Sequence, residues 1–171
     1  ADHWQASISD IETIQEEGIE AVRTVETAYK LVKKNDEDIE VPDGLKGRIL
    51  PFELVQKEKF QAELDAMAAL QSRVEAIGGE LEEVRDSFSE EELETYCDSE
   101  KDNAPDKKKI TADAKPKADV EADTKTKLKQ MVALWDEQTK WGKQIKADKL
   151  ALEEKTIQAI EHLSDEEIAD F

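Results

Sequence analysis

The sequence is poor in residues that build disulfide-linked, metal-bound or membrane-spanning structures. It has one cysteine, Cys97, which cannot form an internal disulfide, so a reducing cytoplasm is the expected compartment. No apolar run approaches the roughly 18 residues of a membrane span, and no charged-then-apolar leader indicates secretion. His3 and His162 lie near opposite ends of the chain, so no clustered metal ligands are predicted.

Aromatic residues are also scarce, at 5% of the 171 residues, whereas charged residues make up 39%. A thick globular core is therefore not expected, and long helices that share a thin apolar seam are favoured. The formal net charge is −19, from 24 basic and 43 acidic side chains. Because contacts with phosphate require positive charge, we do not expect the bulk of this surface to bind nucleic acid directly.

The charge is distributed unevenly, in a way that favours the pairing of two segments. Residues 57–92 contain 4 basic and 11 acidic side chains, whereas residues 124–149 contain 7 lysines and 3 acidic residues. Two helices of opposite sign would attract each other. Two independently solvated faces would explain the same charges, since one exposed ion pair contributes only about 0–1 kcal/mol.

Residues 1–56 are predicted to form a packing segment of short helices and a small β-hairpin. Ser9 and Glu12 have the spacing of a capping box, in which each side chain bonds to the other residue's backbone N–H. Gly18 is placed to end this first helix, because glycine tolerates the left-handed conformation that follows a helix end.

The β-hairpin itself is predicted over residues 28–41. β-forming residues alternate on both sides of a turn-like stretch at 35–38, and residues 42–44 predict a second turn. The segment 47–55 is the most apolar stretch of the chain, so we expect it to pack against another element. Pro51 excludes this segment from a central strand, because proline lacks the N–H that a strand ladder requires.

Residues 57–97 are predicted to form the first long helix and a short continuation. Apolar residues recur there at three- and four-residue spacing, which is typical of a coiled-coil seam. Gly78 and Gly79 interrupt the seam, and each costs about 1 kcal/mol relative to alanine, so we expect a kink or a tight helix contact. Ser89 and Glu92 match a second capping box.

The rest of the chain is predicted to hold a connector and the second long helix. Residues 98–123 contain almost no apolar side chains, so a charged, solvated connector is expected. Residues 124–171 are predicted as a helix to His162 and the start of a terminal helix, where Ser164 and Glu167 match a third capping box. Apolar residues lie on more than one side of the long helix, so one partner helix cannot cover them all.

Together these elements predict a mainly α fold. Its expected architecture is an antiparallel hairpin of two long helices, coiled-coil-like, with a small N-terminal helical and β-hairpin segment. The candidate partner-binding residues are Leu128, Trp135, Trp141, Ile145 and Leu152. Trp141 is predicted to face a partner, since tryptophan is enriched among interface hot spots, and the other four are predicted to supply the seam. Ordinary packing of the tryptophans is the alternative.

No catalytic pattern is present in the sequence. It contains neither a Gly-rich nucleotide-binding turn nor a Walker loop, and Cys97 has no histidine nearby in sequence. Glutamate clusters such as residues 90–92 are interpreted as a solvated helix face, because sequence neighbours on a helix do not face the same side. No catalytic, cofactor-binding or metal-binding residue is therefore assigned.

Three stretches of the sequence are similar to a known protein family. Residues 4–56 end in V-P-D-G-L-K-G-R-I-L-P-F-E-L-V-Q, residues 62–92 run A-E-L-D-A-M-A-A-L to S-F-S-E-E-E, and residues 142–168 end in L-S-D-E-E-I. They resemble the region after the catalytic domain, the coiled-coil segment and the closing helix in modification subunits of type I restriction-modification systems. The G-R-I-L-P-F-E-L-V-Q stretch at residues 47–56 is the most specific piece.

This resemblance implies an assembly role rather than catalysis by these residues. The family are S-adenosylmethionine-dependent N6-adenine DNA methyltransferases, and their Gly-rich cofactor turn and N-P-P-[FY] motif are absent here. S-adenosylmethionine thus belongs to the parent enzyme. The implied partners are the specificity subunit, which chooses the DNA sequence, and a second copy of the modification subunit. The alternative is a free-standing acidic coiled-coil scaffold or adaptor that self-associates through its seams.

Overall fold

The computed structural model describes residues 5–34, 37–98 and 103–171, and helices account for 68% of the fold. The seven α-helices of the described residues are α1 (Ile8–Glu17), α2 (Phe52–Lys59), α3 (Gln61–Asp86), α4 (Glu90–Tyr96), α5 (Lys107–Asp113), α6 (Ala122–Glu161) and α7 (Asp165–Asp170). Among them, none combines the length and the apolar character needed to cross a lipid bilayer.

The fold also contains one 3-10 helix and four β-strands among the described residues. A 3-10 helix covers Ile19–Arg23, and two antiparallel strand pairs are present. The strands are β1 (Val25–Lys34), β2 (Glu37–Gly47), β3 (Cys97–Asp98) and β4 (Ala104–Pro105). The chain divides into two compact units, each with its own core: unit 1 comprises Ala1–Ala66 and Asp148–Phe171, and unit 2 comprises Met67–Ala147.

The β-hairpin predicted over residues 28–41 is confirmed and is longer than predicted, since the antiparallel pairing includes both ends of β1. Residues 35 and 36 of its predicted turn lie outside the described residues. The second turn, predicted at residues 42–44, is wrong because these residues continue β2. Gly44, at φ +86°, sits where the strand register shifts, a backbone conformation that only glycine adopts without steric cost.

The first capping box lies two residues earlier than predicted, so the assignment to Ser9 and Glu12 is wrong. Ser7 Oγ accepts the N–H of Asp10 at 3.1 Å, and the Asp10 carboxylate accepts the N–H of Ser7 at 2.8 Å. Ser7 has extended backbone dihedrals, as a cap requires, whereas Ser9 lies inside α1. Gly18 ends α1 at φ +80°, as predicted. The other two predicted boxes are confirmed: Ser89 with Glu92, and Ser164 with Glu167.

The core of unit 1 is built on the apolar segment 47–55, as predicted. Ile49, Leu50 and Val55 are buried, and they pack with apolar residues from the 3-10 helix and from the end of α6. Pro51 is the N-cap residue of α2. Proline has no backbone N–H, and the start of a helix requires none. Pro51 can therefore connect the irregular segment to α2 without the loss of a hydrogen bond.

The first long helix, α3, differs from the prediction in where it begins and in the surroundings of its two glycines. The first long helix begins at Gln61 rather than near residue 57, because Phe60 leaves the helical region at φ −132° and ψ 33° and ends α2. The helix continues through Gly78 and Gly79. A Cβ atom at either glycine would meet nothing within 4 Å, so of the two predicted alternatives the tight helix contact is wrong, and the kink stays a prediction.

The segment predicted as a solvated connector carries a helix of its own. The α5 helix begins after Asp106, whose carboxylate accepts the backbone N–H groups of Lys108 and Lys109 at 3.0 and 3.1 Å. Ile110 is fully buried and joins the core of unit 2. Ala114, the C-cap residue of α5, is buried in the same core, so α5 docks although its stretch contains few apolar side chains.

Gly47 has no room for a side chain, which gives a test of the unit 1 core. A Cβ atom there would lie 1.9 Å from the Leu50 carbonyl oxygen and 3.3 Å from Ile160 Cδ1. We expect Gly47→Ala to lower the free energy of unfolding by about 1–3 kcal/mol through overpacking. The measurement is the thermal midpoint of the full chain by circular dichroism.

The matched control is Gly142→Ala in α6, where a Cβ atom would meet nothing within 4 Å. This change should raise stability by about 1 kcal/mol, since alanine is the better helix former. Equal midpoints for the two variants would contradict the close approach at Gly47.

Candidate interaction surface

The five candidate residues lie in three kinds of environment. Leu128 is fully buried in the core of unit 2, whereas Leu152 is buried in unit 1. Trp135 and Trp141 are half-buried and pack against the core of unit 2. Ile145 is half-buried in the same unit. The residues therefore differ in burial, and their role in binding a partner stays a prediction.

Trp141 is held by polar contacts as well as by packing. Its indole Nε1 donates to Glu137 Oε1 at 3.1 Å, one helical turn earlier in α6. The ammonium group of Lys140 lies 4.4 Å from the centroid of the Trp141 ring, within the range of a cation–π interaction. The indole thus has a fixed orientation and a positively charged neighbour.

Arg73 of α3 connects this tryptophan to a second helix. Its Nε and Nη2 atoms donate to the two carboxylate oxygens of Glu137, each at 2.9 Å, and its Nη1 atom donates to Glu80. The hydrogen bonds from Arg73, and then that from Trp141, lower the pKa of Glu137 to about 2. Hydrogen bonds to Glu137 and Glu80 raise the pKa of Arg73, so Arg73 and Glu137 are both ionised at neutral pH.

Trp135 has a cation neighbour from outside its own helix. The Lys107 ammonium, at the start of α5, lies 5.1 Å from the centroid of the Trp135 ring, and Lys109 lies 5.6 Å from that of Tyr96. Residues 107–109 are three lysines in the stretch that was predicted as a solvated connector. Two of the three lie over aromatic rings, so they are not solvated on every side. These contacts were missed because nothing local in the sequence connects α5 with α6.

The predicted attraction between the two oppositely charged segments appears in unit 2. Lys127 of α6 contacts Glu92 of α4, with 3.0 Å between Nζ and Oε2, and Lys127 also donates to the Ser87 carbonyl at 3.0 Å. Burial opposes ionisation of Glu92. Hydrogen bonds from Thr124, the Ser89 N–H and Lys127 outweigh it, so its pKa is lowered to about 2.

A cleft of about 430 Å³ lies beside this pair and is lined mostly by acidic and hydroxyl side chains. Nearby, Cys97 is buried, and burial raises the pKa of its thiol, which makes the nucleophilic thiolate scarce. Within the described part of the chain, no group of three or more His, Cys, Asp or Glu side chains is placed to hold a metal ion. His3 lies outside the described residues.

No protein-family model, curated protein or solved structure matches this chain. The family interpretation therefore rests on the sequence stretches themselves and stays a prediction.

The buried ion pair of Glu92 predicts a specific dependence of stability on pH. The pKa is lowered in the folded chain, so the stabilisation is present above about pH 4.5 and is lost as pH falls towards 2. We expect Glu92→Gln to lower the free energy of unfolding by about 1–3 kcal/mol at pH 7. The difference from the parent chain should shrink steadily between pH 4.5 and pH 2.

The measurement is the thermal midpoint of the full chain from pH 2 to pH 7. Glu91→Gln, an exposed neighbour in the same helix, is the control and should follow the parent chain. A difference for Glu92→Gln that does not change with pH would rule out an electrostatic origin.

Proposed function

We propose that this chain is the C-terminal assembly arm of an N6-adenine DNA methyltransferase subunit from a type I restriction-modification system. In this role it docks the methyltransferase on the DNA specificity subunit in the cytoplasm. S-adenosylmethionine is bound by the catalytic domain of the parent enzyme, and this arm supplies none of its ligands. The observation that carries the proposal is the family-like stretch at residues 47–56.

The residue types of this stretch have identifiable roles in packing. Gly47 lacks the Cβ atom that would collide with the Leu50 carbonyl oxygen. Arg48 donates through both terminal nitrogens to the carboxylate of Glu17, each at 2.6 Å. Gln56 Nε2 donates to Oγ1 of the fully buried Thr156 at 3.1 Å. The stretch thus specifies the fold of unit 1, which supports a structural arm rather than a ligand site.

The proposed architecture is an antiparallel helical hairpin. In unit 2, Arg73 contacts Glu137, and Glu92 contacts Lys127. Glu92 follows Arg73 in the chain, whereas Lys127 precedes Glu137. Within unit 1, Glu63 of α3 contacts Lys155 of α6 at 2.9 Å. The two contacts in unit 2 support opposite directions of the paired segments there, and the contact in unit 1 supports a pairing of α3 with α6. A coiled-coil geometry remains part of the proposal.

The proposed docking site is the indole surface, which we define as Trp141, Lys140, Glu137 and Arg73. Trp141 packs on the core of unit 2 and is half-buried, so part of its side chain stays accessible. An oriented aromatic ring with charged groups at its rim is typical of interface hot spots. Long helices of a specificity subunit would offer the apolar surface that such a ring covers.

The test is the affinity of the full chain for its cognate specificity subunit, measured by calorimetry. We expect Trp141→Ala to weaken binding by about 30-fold or more, since hot-spot tryptophans contribute about 2 kcal/mol or more. Lys140→Glu changes only the exposed rim, so it tests the same surface without removing the packed ring. Tyr29→Ser, in the β-hairpin of unit 1, is the control and should bind as the parent chain does.

Two results would count against the proposal in different ways. If the parent chain does not bind the specificity subunit, the assembly function is wrong. If binding is retained at full strength by both Trp141→Ala and Lys140→Glu, the arm docks through another surface.

A further inference from the structure

The β1–β2 ribbon is rich in exposed large apolar side chains. Among the described residues, nine large apolar side chains are exposed, and five of them lie in this ribbon. These five are Tyr29, Leu31, Val32, Ile39 and Leu45. An isolated two-stranded ribbon is at best marginally stable in water, so apolar side chains left uncovered on it indicate a surface that is covered in an assembly.

The strand register sorts these side chains onto two different faces. Cross-strand partners share a face, and faces alternate along each strand. Three adjacent pairs define what we call the valine face: Lys30 with Val41, Val32 with Ile39, and Lys34 with Glu37. The opposite face carries three other pairs: Tyr29 with Pro42, Leu31 with Glu40, and Lys33 with Asp38.

The two strands carry opposite charge. Residues 30–34 contain three lysines and no acidic residue, whereas residues 37–43 contain four acidic residues and no basic one. Two copies that joined symmetrically through the β1 edges would place lysines beside lysines, and joining through the β2 edges would place acidic residues together. Like charges opposite each other destabilise a sheet. The edges are therefore protected against symmetric pairing.

We propose that the valine face binds the valine face of a second copy of this chain, with the two-fold axis parallel to the strands. Rotation about such an axis places β1 of each copy over β2 of the other. Val32 then lies over Ile39 of the second copy, and Lys34 lies over Glu37 of the second copy. The basic strand meets the acidic strand twice, around a small apolar centre.

The opposite face is less suited to the same arrangement. Rotation there would place Leu31 over Glu40 of the second copy at the centre of the contact, which buries a carboxylate against an apolar side chain. On the valine face the corresponding mixed pair, Lys30 over Val41 of the second copy, lies at the end of the contact. There the Lys30 ammonium contacts Asp43 at 2.6 Å and stays in water while its aliphatic stem covers the valine. Val32 and Ile39 are each 40% exposed, so the valine face retains apolar area to bury. This inference concerns unit 1 alone and does not rest on the proposed docking of Trp141, which lies in unit 2.

The first experiment is sedimentation equilibrium of the full chain at concentrations up to about 1 mM, because a small interface gives weak association. The parent chain should show a monomer–dimer equilibrium. Val32→Thr should weaken dimerisation by about tenfold or more, because a symmetric dimer loses the apolar contact of Val32 twice, once from each copy. Leu31→Thr, which changes the adjacent residue on the opposite face, is the matched control and should dimerise as the parent does.

A charge exchange tests the direction of the two-fold axis. Lys34→Glu alone and Glu37→Lys alone should each reduce dimerisation, because each places like charges over one another. A mixture of these two variants should restore it as a heterodimer, since the two acidic groups of one copy then lie over the two basic groups of the other. The double variant Lys34→Glu/Glu37→Lys should dimerise as the parent does, which shows that the hairpin itself is intact.

Several results would overturn the inference. These are a parent chain that is monomeric at every concentration, equal weakening by Val32→Thr and Leu31→Thr, and a mixture of the charge variants that stays monomeric. A monomeric chain whose ribbon amides gain hydrogen-exchange protection only when the specificity subunit is added would assign the valine face to that partner instead.

Discussion

Unit 1 depends on the close approach of the Gly47 backbone to the Leu50 carbonyl and to Ile160. This contact lets the end of the β ribbon turn directly into the buried segment and then into α2. It also brings the last turns of α6 against that segment. Arg23 completes the arrangement, because its Nε donates to the Leu163 carbonyl at 2.6 Å and its guanidinium contacts Asp165. A larger residue at Gly47 would separate all of these elements at once.

A thin core makes polar contacts between elements more important than in a thick globular domain. Thr156 illustrates this point, because it is fully buried and satisfies its hydroxyl by donating to the Leu152 carbonyl at 2.6 Å while accepting from Gln56. Glu92 is buried under the same constraint in unit 2. Exposed pairs such as Lys155 with Glu63 contribute little each, so the few buried polar groups specify which elements meet.

Periodicity predicted the long helices and most capping boxes because these depend on residues within one or two turns of each other. The bounds of α6 differ from the prediction by only a few residues. The docking of α5 through Ile110 could not be predicted, since one apolar residue in a charged run has no periodic signal. In the Arg73–Glu137 pair the basic residue comes from the acidic segment and the acidic residue from the basic one. The net charges of the segments therefore predicted their attraction but not this contact.

The five candidate residues show why a seam pattern alone does not separate core from interface. Leu128 and Leu152 are buried, whereas Trp135 and Trp141 remain half-buried and pack against the core of unit 2. Lysines then lie against both rings. The same periodic pattern thus contains both core residues and half-buried aromatic residues, and the pattern alone does not separate them.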